Sequence, residues 1–427
     1  MWKCHSNIDG DFSLKANVVY IDLSPCGGAE RLTLVTMDAL SQKGVAFDLT
    51  TCVSPNMTKL ENAYGSKIAS IVKKAEKINI LESLEESFID SIIQRGNYDL
   101  TINTHGDTLP FYCHSLSKNN AVTYCHFPSA KLHIESENLE YLRDIRVGER
   151  DFTWIYETNH SKNKKDTNLN LETKHKVTEY FEFLRIMYDS LMKNTLVLTN
   201  SEYTRRVISS IFNTQSKILY PPVDVETFRK QVLMSNTQRE DMILVISRIA
   251  PDKQIENAIE LAKILRDRGI GKKGMVIAGN LHYYDEQYYQ QLKKMIANYD
   301  LPDYVSLQTN VSFSKLIQLM RMAKVYFHPR IDEHFGISIV EAMAAGLVPI
   351  VSDAGGHTEF VPSKYHFRTL DNAADLIALA LESTTDSERL AISDSSSKFS
   401  NANYVKCFHR ILSELLNDKD ISDIEAH

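Results

Sequence analysis

Two glutamates eight positions apart, Glu333 and Glu341, are the most informative feature of the 427-residue sequence. A strand pattern ends shortly before them and a helical pattern begins at Ile337 or Ser338, which puts Glu333 in a loop and Glu341 about one turn inside the helix. The N–H groups of the first helical turn lack intrahelical acceptors and can bind a diphosphate. The two carboxylates can then accept hydrogen bonds from the hydroxyls of a sugar and of a ribose. The alternative is that the helix macrodipole favours a glutamate near the helix start, and that Glu341 faces solvent.

Two cations, Arg248 and Lys253, follow the strand candidate Met242–Ile246. Loops at the carboxyl ends of parallel strands form ligand crevices, so both side chains are expected over such a crevice. There they would stabilise negative charge developing on a leaving group. The alternative is that both side chains are simply solvated, as cations at strand ends often are.

The N-terminal half holds a glycine pair and a histidine in comparable positions. Gly27 and Gly28 follow the strand candidate Val18–Leu23, and glycine lets a backbone approach a phosphate or a sugar closely. A tight strand-to-helix turn is the other reading, and both can hold. His126 follows the strand candidate Val122–Tyr124 and is expected to point from a strand end into a cleft, although a lone histidine is more often structural.

Strands and helices alternate in two series, which indicates two α/β domains with parallel sheets. The first series also has a helical pattern from about Ala29 to Lys43 and strand candidates at Val45–Cys52 and Leu100–Asn103. The second series adds the strand candidates Met275–Ala278, Tyr304–Leu307, Val325–His328 and Val348–Ser352. Its helical segments lie near Ile255–Arg268, Glu286–Asn298, Ser314–Met322 and Ser338–Ala345. Pro221-Pro222 and the polar stretch Gln231–Glu240 mark the boundary between the two series.

The middle of the chain is less regular. The Asn-, Lys- and Thr-rich segment Asn159–Lys176 is expected to be an exposed loop. Apolar residues then recur at helical spacing between Tyr180 and Leu191. A helix with its apolar face on the core is the simpler interpretation, and a face for lipid or for a lipid-linked acceptor is the alternative.

Composition excludes several classes. A net charge of −7 argues against nucleic acid as the main partner. The six cysteines form no C-x-x-C pair, which suits a reducing compartment, and the sequence shows neither a signal-peptide pattern nor a run of eighteen apolar residues. No G-x-G-x-x-G follows an early strand, which disfavours a dinucleotide oxidoreductase. We therefore expect a cytoplasmic protein that can still lie on a membrane surface.

The segment from Glu333 to Gly346 resembles the E-x7-E signature of retaining GT-B glycosyltransferases of family 4. The resemblance extends in the same order over most of the chain. It includes Gly27–Arg31, Thr199–Ser201 with Thr204, Tyr220–Asp224 and Ala354–Gly356. Within the family, Glu333–Ile337 and Tyr124–Pro128 look most similar to the α-1,2-mannosyltransferases that extend the dolichol-linked oligosaccharide with GDP-mannose.

The resemblance implies a role for each matching residue. Glu341 is the expected ribose ligand, and Glu333 lies near the hydroxyls of the transferred sugar, with main-chain donors from Phe335, Gly336 and Ile337. Arg248 and Lys253 match the basic pair that neutralises the donor diphosphate. Gly27 and Gly28 fit the N-terminal glycine loop, and His126 lies beside donor sugar and acceptor. Many relatives have glycine on either side of the basic pair, whereas Ser247 and Gln254 stand here.

The resemblance also implies the architecture and the reaction. We expect a GT-B fold of two Rossmann-like doubly wound domains facing an interdomain cleft. Residues 1–222 would bind the acceptor, residues 223–399 would bind the nucleotide-sugar, and a C-terminal helix at about 400–427 would pack back on the first domain. The reaction would transfer a hexose, most simply mannose from GDP-mannose, onto a lipid-linked or other glycan acceptor, with retention and without a metal ion or other cofactor. A nucleotide-sugar epimerase on the same plan and a silent sugar-binding partner of a membrane complex are the alternatives.

Overall fold

The chain divides into two compact units in the computed structural model, which describes residues 14–80, 98–106, 121–138, 171–233 and 239–422. The first unit holds the described residues up to Leu198, with Phe212–Ser216 and the chain from Phe408 onward. The second holds Thr199–Ile211 and Lys217–Cys407. The chain therefore passes between the units several times. The assignment of an acceptor domain to 1–222 and of a donor domain to 223–399 stays a prediction.

The first unit is built around a sheet whose order, in the described part of the chain, is β3-β2-β1-β4-β5-β6-β7. Its strands are β1 (Lys15–Val19), β2 (Ala46–Thr51), β3 (Ile78–Ile80), β4 (Leu100–Asn103), β5 (Ala121–Cys125), β6 (Leu196–Thr199) and β7 (Ser216–Ile218). The pairs from β3 to β5 are parallel. β4 and β5 are buried along their whole length, as is typical of parallel strands covered on both faces.

The helices that connect the strands of this sheet include the one expected after Gly27 and Gly28. They are α1 (Gly28–Gln42), α2 (Met57–Tyr64), α3 (Ser66–Ala69), α4 (Ser129–Glu135), α5 (Leu171–Asn194) and α6 (Glu202–Phe212), of which α6 belongs to the second unit up to Ile211. Helix α1 begins at Gly28 because the Glu30 side chain accepts a hydrogen bond from the Gly27 N–H, at 2.6 Å. That bond satisfies a donor that the helix itself cannot pair.

The second unit contains a parallel sheet of order β10-β9-β8-β11-β13-β15. Its strands, with a separate short pair β12 and β14, are β8 (Glu240–Ile246), β9 (Met275–Gly279), β10 (Val305–Thr309), β11 (Ala323–Phe327), β12 (Asp332–Glu333), β13 (Val348–Ser352), β14 (Ala354–Gly355) and β15 (His366–Phe367). Its helices are α7 (Val225–Leu233), α8 (Ile255–Asp267), α9 (Glu286–Asn298), α10 (Phe313–Met322), α11 (Ile337–Ala344), α12 (Leu370–Ser383), α13 (Asp386–Ser395) and the start of α14 (Asn401–Ser422). Two Rossmann-like α/β units are thus confirmed.

One expectation about the middle of the chain is wrong in part. The last six residues of the expected loop Asn159–Lys176 are the first turns of α5, because Leu171, Glu172 and Lys174 are good helix formers. Residues 159–170 lie outside the described part of the chain. Likewise, α7 includes the first three residues of the polar stretch Gln231–Glu240, and β8 begins at its last residue.

The apolar face of α5 packs into the first unit. Phe181, Tyr188 and Met192 are fully buried there, at positions that share one face of a helix. Ile186 is exposed. The core interpretation therefore holds for these described side chains, and Phe181 is not available to a lipid.

The C-terminal half of α14 belongs to the first unit, where His409 Nε2 lies 2.7 Å from the Ala39 carbonyl oxygen. Because a carbonyl can only accept, the imidazole donates. Cys26, Cys52, Cys125 and Cys407 are free thiols. Among the helices of the described residues, none combines the length and the apolarity that a membrane span requires.

Candidate functional site

Glu333 is placed by a short strand pair in the second unit. It ends β12, which pairs in parallel with β14, where Glu333 lies opposite Gly355. Gly355 has φ +113°, and a Cβ at this position would come too close to the Glu333 backbone. The glycine of the expected motif therefore lets the two backbones meet.

The Glu333 carboxylate is buried and surrounded by donors. Its Oε2 lies 3.1 Å from Lys253 Nζ and 3.3 Å from His328 Nε2. Its Oε1 accepts a hydrogen bond from the His334 N–H, at 3.1 Å. The structure therefore brings together Lys253 and Glu333, two of the predicted residues, although they lie 80 positions apart in the chain.

The environment keeps this carboxylate ionised. Burial favours the neutral acid, but the charge of Lys253, the nearby His328 ring N–H and the charge of Arg330 outweigh burial and hold the pKa of Glu333 well below its ordinary value. Burial also lowers the pKa of His328, so its imidazole is neutral near pH 7. Glu333 is consequently a hydrogen-bond acceptor rather than a proton donor, as a ligand of sugar hydroxyls must be.

The basic loop after β8 holds Arg248 and Lys253 at different depths. Arg248 Nη2 donates to Asp252 Oδ1 over 2.8 Å, and the Arg248 side chain is exposed. Lys253 ends the 3-10 turn Pro251–Lys253 and is less exposed, because it reaches the buried Glu333. Of the predicted basic pair, only Lys253 contacts a predicted carboxylate in the described contacts.

Arg330 and His328 are functional candidates that the sequence reasoning missed. Arg330 Nη2 lies 3.1 Å from His334 Nε2, and its Nη1 lies 3.9 Å from Asp252. His328 was seen only as the end of a strand candidate. The signal that could have found them is their position, because both follow β11 at the same sheet edge as Lys253.

Helix α11 begins with the main-chain geometry expected of an anion site. Gly336, with φ +92°, is its N-cap and supplies no side chain. Phe335 is buried against Tyr220, Phe360 and Phe399, with ring centroids 5.2–6.0 Å apart. The aromatic contacts fix the loop while glycine leaves the first-turn N–H groups of α11, beginning at Ile337, without a capping side chain.

Glu341 lies within α11, as expected. It is the fifth residue of the helix and is half-buried. Burial raises the pKa of the Tyr326 hydroxyl, and the charges of Glu333 and Glu341 raise it further. The charges of the two glutamates therefore act on the same buried hydroxyl.

The glycine pair of the first unit sits in a polar corner. Gly27 N–H donates to Glu30 Oε2, while Glu30 Oε1 accepts a 2.6 Å hydrogen bond from the Tyr20 hydroxyl. The Tyr64 hydroxyl donates to the Gly27 carbonyl oxygen at 2.5 Å. Gly28 is the first residue of α1. A Cβ at Gly27 would lie 2.9 Å from Glu30 Oε2, so a side chain there would displace the Glu30 carboxylate.

His126 is held at the end of β5. Its Nε2 lies 3.0 Å from the Thr104 carbonyl oxygen, so this nitrogen carries the proton and Nδ1 is the acceptor of the neutral ring. Burial lowers the pKa of His126, against the opposing effect of that hydrogen bond. Burial and His126 together lower the pKa of His105 to about 4. Both imidazoles are therefore neutral near pH 7.

Among the described residues, no group of three or more His, Cys, Asp or Glu side chains is arranged to hold a metal ion. The cations of the second unit, its ionised Glu333 and the start of α11 together make a site for an anionic ligand that also carries hydroxyls. These are the features that a nucleotide-sugar requires.

The comparisons with known proteins agree with this class of site. Residues 225–400 match the family described as "Glycosyl transferases group 1". The matched residues include Arg248, Lys253, Glu333 and Glu341. The similarity to the family that the E-x7-E signature indicated is thus confirmed over the second unit.

The relatives narrow the class further. The chain is 29% identical over 242 residues to the "GDP-Man:Man(3)GlcNAc(2)-PP-Dol alpha-1,2-mannosyltransferase" of Dictyostelium discoideum, over 52% of this chain and 48% of that protein. It is 26% identical over 242 residues to the Homo sapiens protein of the same name, covering 55% and 46%. The chain spans about half the length of the curated relatives it matches.

Solved structures show the same fold over nearly the whole chain. The crystal structure of Anabaena HepE in complex with UDP and glucose has a TM-score of 0.63 at 15% identity, covering 94% of this chain and 99% of that one. Sucrose-phosphate synthase from Thermosynechococcus elongatus has a TM-score of 0.63 at 12% identity, covering 95% and 100%. The chain has the GT-B fold.

Proposed function

We propose that the chain is a retaining glycosyltransferase that transfers mannose from GDP-mannose to a lipid-linked oligosaccharide. The observation that carries the proposal is the ion pair of Lys253 with the buried Glu333, placed just before the uncapped start of α11. An ionised acceptor of hydroxyl groups beside an anion site is what a sugar diphosphate needs.

In this proposal the diphosphate lies against the first turn of α11. The N–H groups after Gly336 donate to it, and Arg248 and Lys253 supply positive charge in place of a metal ion. The ribose hydroxyls donate to Glu341, one turn into the helix. The sugar hydroxyls donate to Glu333, whose lowered pKa keeps it ionised near neutral pH.

The bond changes are those that the resemblance to retaining glycosyltransferases implies. The bond between the sugar C1 and the diphosphate oxygen breaks, and a bond forms between C1 and an acceptor hydroxyl oxygen on the same face of the ring. The hydroxyl proton passes to the departing diphosphate oxygen. Arg248, Lys253 and the start of α11 stabilise the charge that develops on that leaving group.

In the first unit, the resemblance implies ligand-binding roles for the turn at Gly27 and Gly28 and for His126. Neutral His126 accepts a hydrogen bond at Nδ1, because Nε2 donates to Thr104. We assign it a hydroxyl-orienting role, and not the role of general base.

The choice of mannose, guanosine and a lipid-linked acceptor rests on the similarity to the Dictyostelium and human mannosyltransferases. An acceptor on a dolichol diphosphate would put the chain in the cytoplasm, at the cytoplasmic face of a membrane, as a peripheral protein. Sedimentation with liposomes tests that contact. Ile186→Ser, which alters an exposed residue of α5, should leave folding intact, unlike a change at the buried Phe181.

The first experiment is thermal unfolding of the purified protein against GDP-, UDP- and ADP-sugars. We expect the midpoint to rise with GDP-mannose, because a ligand that binds only the folded state stabilises it. Glu341→Ala should abolish the rise, while Glu382→Ala, an exposed glutamate of α12, should keep it. No rise with any nucleotide sugar would contradict the proposal.

Product analysis then separates transfer from other chemistry. GDP-mannose incubated with a lipid-linked oligosaccharide should give an elongated glycan, and chelating agents should not reduce the rate. A changed nucleotide-sugar without acceptor would instead indicate an epimerase. Donor binding without any product would indicate a silent partner.

A further inference from the structure

Gln254 adopts a backbone conformation that L-residues rarely take. Its φ and ψ are +51° and +43°, at the point where the turn Pro251–Lys253 ends and α8 begins. Glycine takes this left-handed conformation without strain, whereas a residue with a Cβ does not. A strained glutamine at this position calls for a role of its side chain.

The side chain of Gln254 is tied to the loop that leads to Glu333. Its Oε1 accepts a hydrogen bond from the Ile331 N–H, at 3.0 Å. Asn257, one turn further along α8, donates from Nδ2 to the Pro329 carbonyl oxygen at 3.0 Å, and also approaches Gln254 Oε1 at 3.4 Å. Two adjacent amide side chains thus hold the backbone of residues 329–331.

That backbone positions charges of the candidate site. It carries Arg330, which reaches His334, and two residues later it reaches Glu333. On the other side of the tie, Lys253 directly precedes Gln254. The Gln254–Ile331 hydrogen bond therefore connects the main chain beside Lys253 to the main chain beside Glu333, and these are the two residues whose side chains pair at 3.1 Å.

We infer that Gln254 is a positioning residue that holds the Lys253 turn and the Glu333 loop in register for the donor. The inference rests on the proposed function for its kinetic consequence but not for its structural one. Gln254 is not one of the residues proposed to bind the diphosphate or the sugar. It acts by keeping the loop ordered before the donor binds, so its loss weakens donor binding rather than the chemical step.

The structural consequence is measured on the protein without ligand. Gln254→Asn keeps a residue that tolerates positive φ, but its shorter side chain cannot reach Ile331. Gln254→Gly removes the side chain and the strain together. In both variants we expect hydrogen exchange at the Ile331 amide to become about tenfold faster. The control Gln290→Asn alters an exposed glutamine of α9. Its Ile331 amide should exchange as fast as that of the unaltered protein.

The kinetic consequence is a rise of KM for GDP-mannose by roughly fivefold to tenfold in both variants, because about one hydrogen bond is lost. The kcat should change less than about twofold. Unchanged Ile331 exchange in Gln254→Asn would overturn the inference. So would faster exchange with an unchanged KM. If the unaltered protein uses no nucleotide-sugar, the proposed function fails, and the exchange experiment still decides whether Gln254 orders the loop.

Discussion

Replacing Lys253 with methionine removes the cation that faces a buried carboxylate. The Lys253 and Glu333 side chains are 22% and 11% exposed, so water can replace the ammonium group only in part. Methionine keeps most of the aliphatic volume of lysine, which limits the change to the charge. The expected result is a less stable second unit at neutral pH.

The size of the effect follows from the distance. Opposite unit charges 3.1 Å apart attract by about 5 kcal/mol at an effective dielectric constant of about 20. Part of this is offset by the cost of desolvating the two groups, and Arg330 and the His334 N–H remain close to Glu333. We therefore expect Lys253→Met to lower the free energy of unfolding by about 2–3 kcal/mol.

The effect should depend on pH with a definite sign. In the unaltered protein the pKa of Glu333 is depressed, so its contribution to stability is present above the unfolded value of 4.5 and is lost as pH falls through the folded value. Without Lys253 the pKa of Glu333 rises, and the variant's carboxyl takes up a proton at higher pH. The stability difference between the two proteins should therefore be largest at neutral pH and shrink as pH falls below about 5.

Urea unfolding at neutral pH and at about pH 4 measures these quantities. Lys253→Met with Glu333→Gln should recover most of the loss, because no buried charge is left unpaired. Lys294→Met, at an exposed position of α9, serves as the control. The reasoning would be refuted if Lys253→Met were as stable as the unaltered protein at neutral pH, or if the double variant were no more stable than the single one.

Three further predictions concern the surroundings of Glu333. Gly336→Ala places a Cβ against the Ile339 side chain at φ +92°, so it should cost about 2 kcal/mol or more in urea unfolding and abolish the thermal shift with GDP-mannose. Ser201→Ala removes the hydroxyl that donates to the His334 carbonyl oxygen over 2.7 Å. This should lower the free energy of unfolding by about 1–2 kcal/mol and raise the KM for GDP-mannose severalfold. Burial lowers the pKa of His357 from 6.5 to about 4, so the unfolded chain takes up a proton at this residue at higher pH than the folded chain does. Between neutral pH and about pH 5 this difference should lower the free energy of unfolding by about 2 kcal/mol, and His357→Gln should abolish that loss.

Matched variants separate these effects from general damage. Gly269→Ala also has positive φ but meets nothing within 4 Å, so it should cost less than Gly336→Ala. Ser210→Ala alters an exposed serine of α6 and should leave KM unchanged. Equal destabilisation by Gly336→Ala and Gly269→Ala would contradict the argument that the added Cβ at Gly336 overlaps the Ile339 side chain. An unchanged pH slope in His357→Gln would contradict the assignment of that proton.

Local patterns predicted the elements of the second unit closely. Strand Val348–Ser352 and helix Glu286–Asn298 have the bounds that apolar runs and helical spacing indicated. The start of α11 was also predictable, since glycine and a following apolar run mark it. The short strand β15, the helices α12 and α13 and the first turns of α5 were not predicted. Strand β15 has only two residues, too few for a pattern, whereas α12 and α13 begin after the N-caps Thr369 and Thr385, local signals that were missed.

The sequence by itself determined the types and order of the main elements, the two α/β units, the loops that hold Glu333, Arg248 and Lys253, and the helix that holds Glu341. These depend on spacing over a few residues. Only the tertiary structure decided that Lys253 reaches Glu333, that Gln254 holds the Ile331 main chain, and that Thr199–Ile211 belongs to the second unit. The physical reason is that such pairs lie many positions apart. Parallel-strand register and long-range hydrogen bonds bring them together, and no local pattern encodes either.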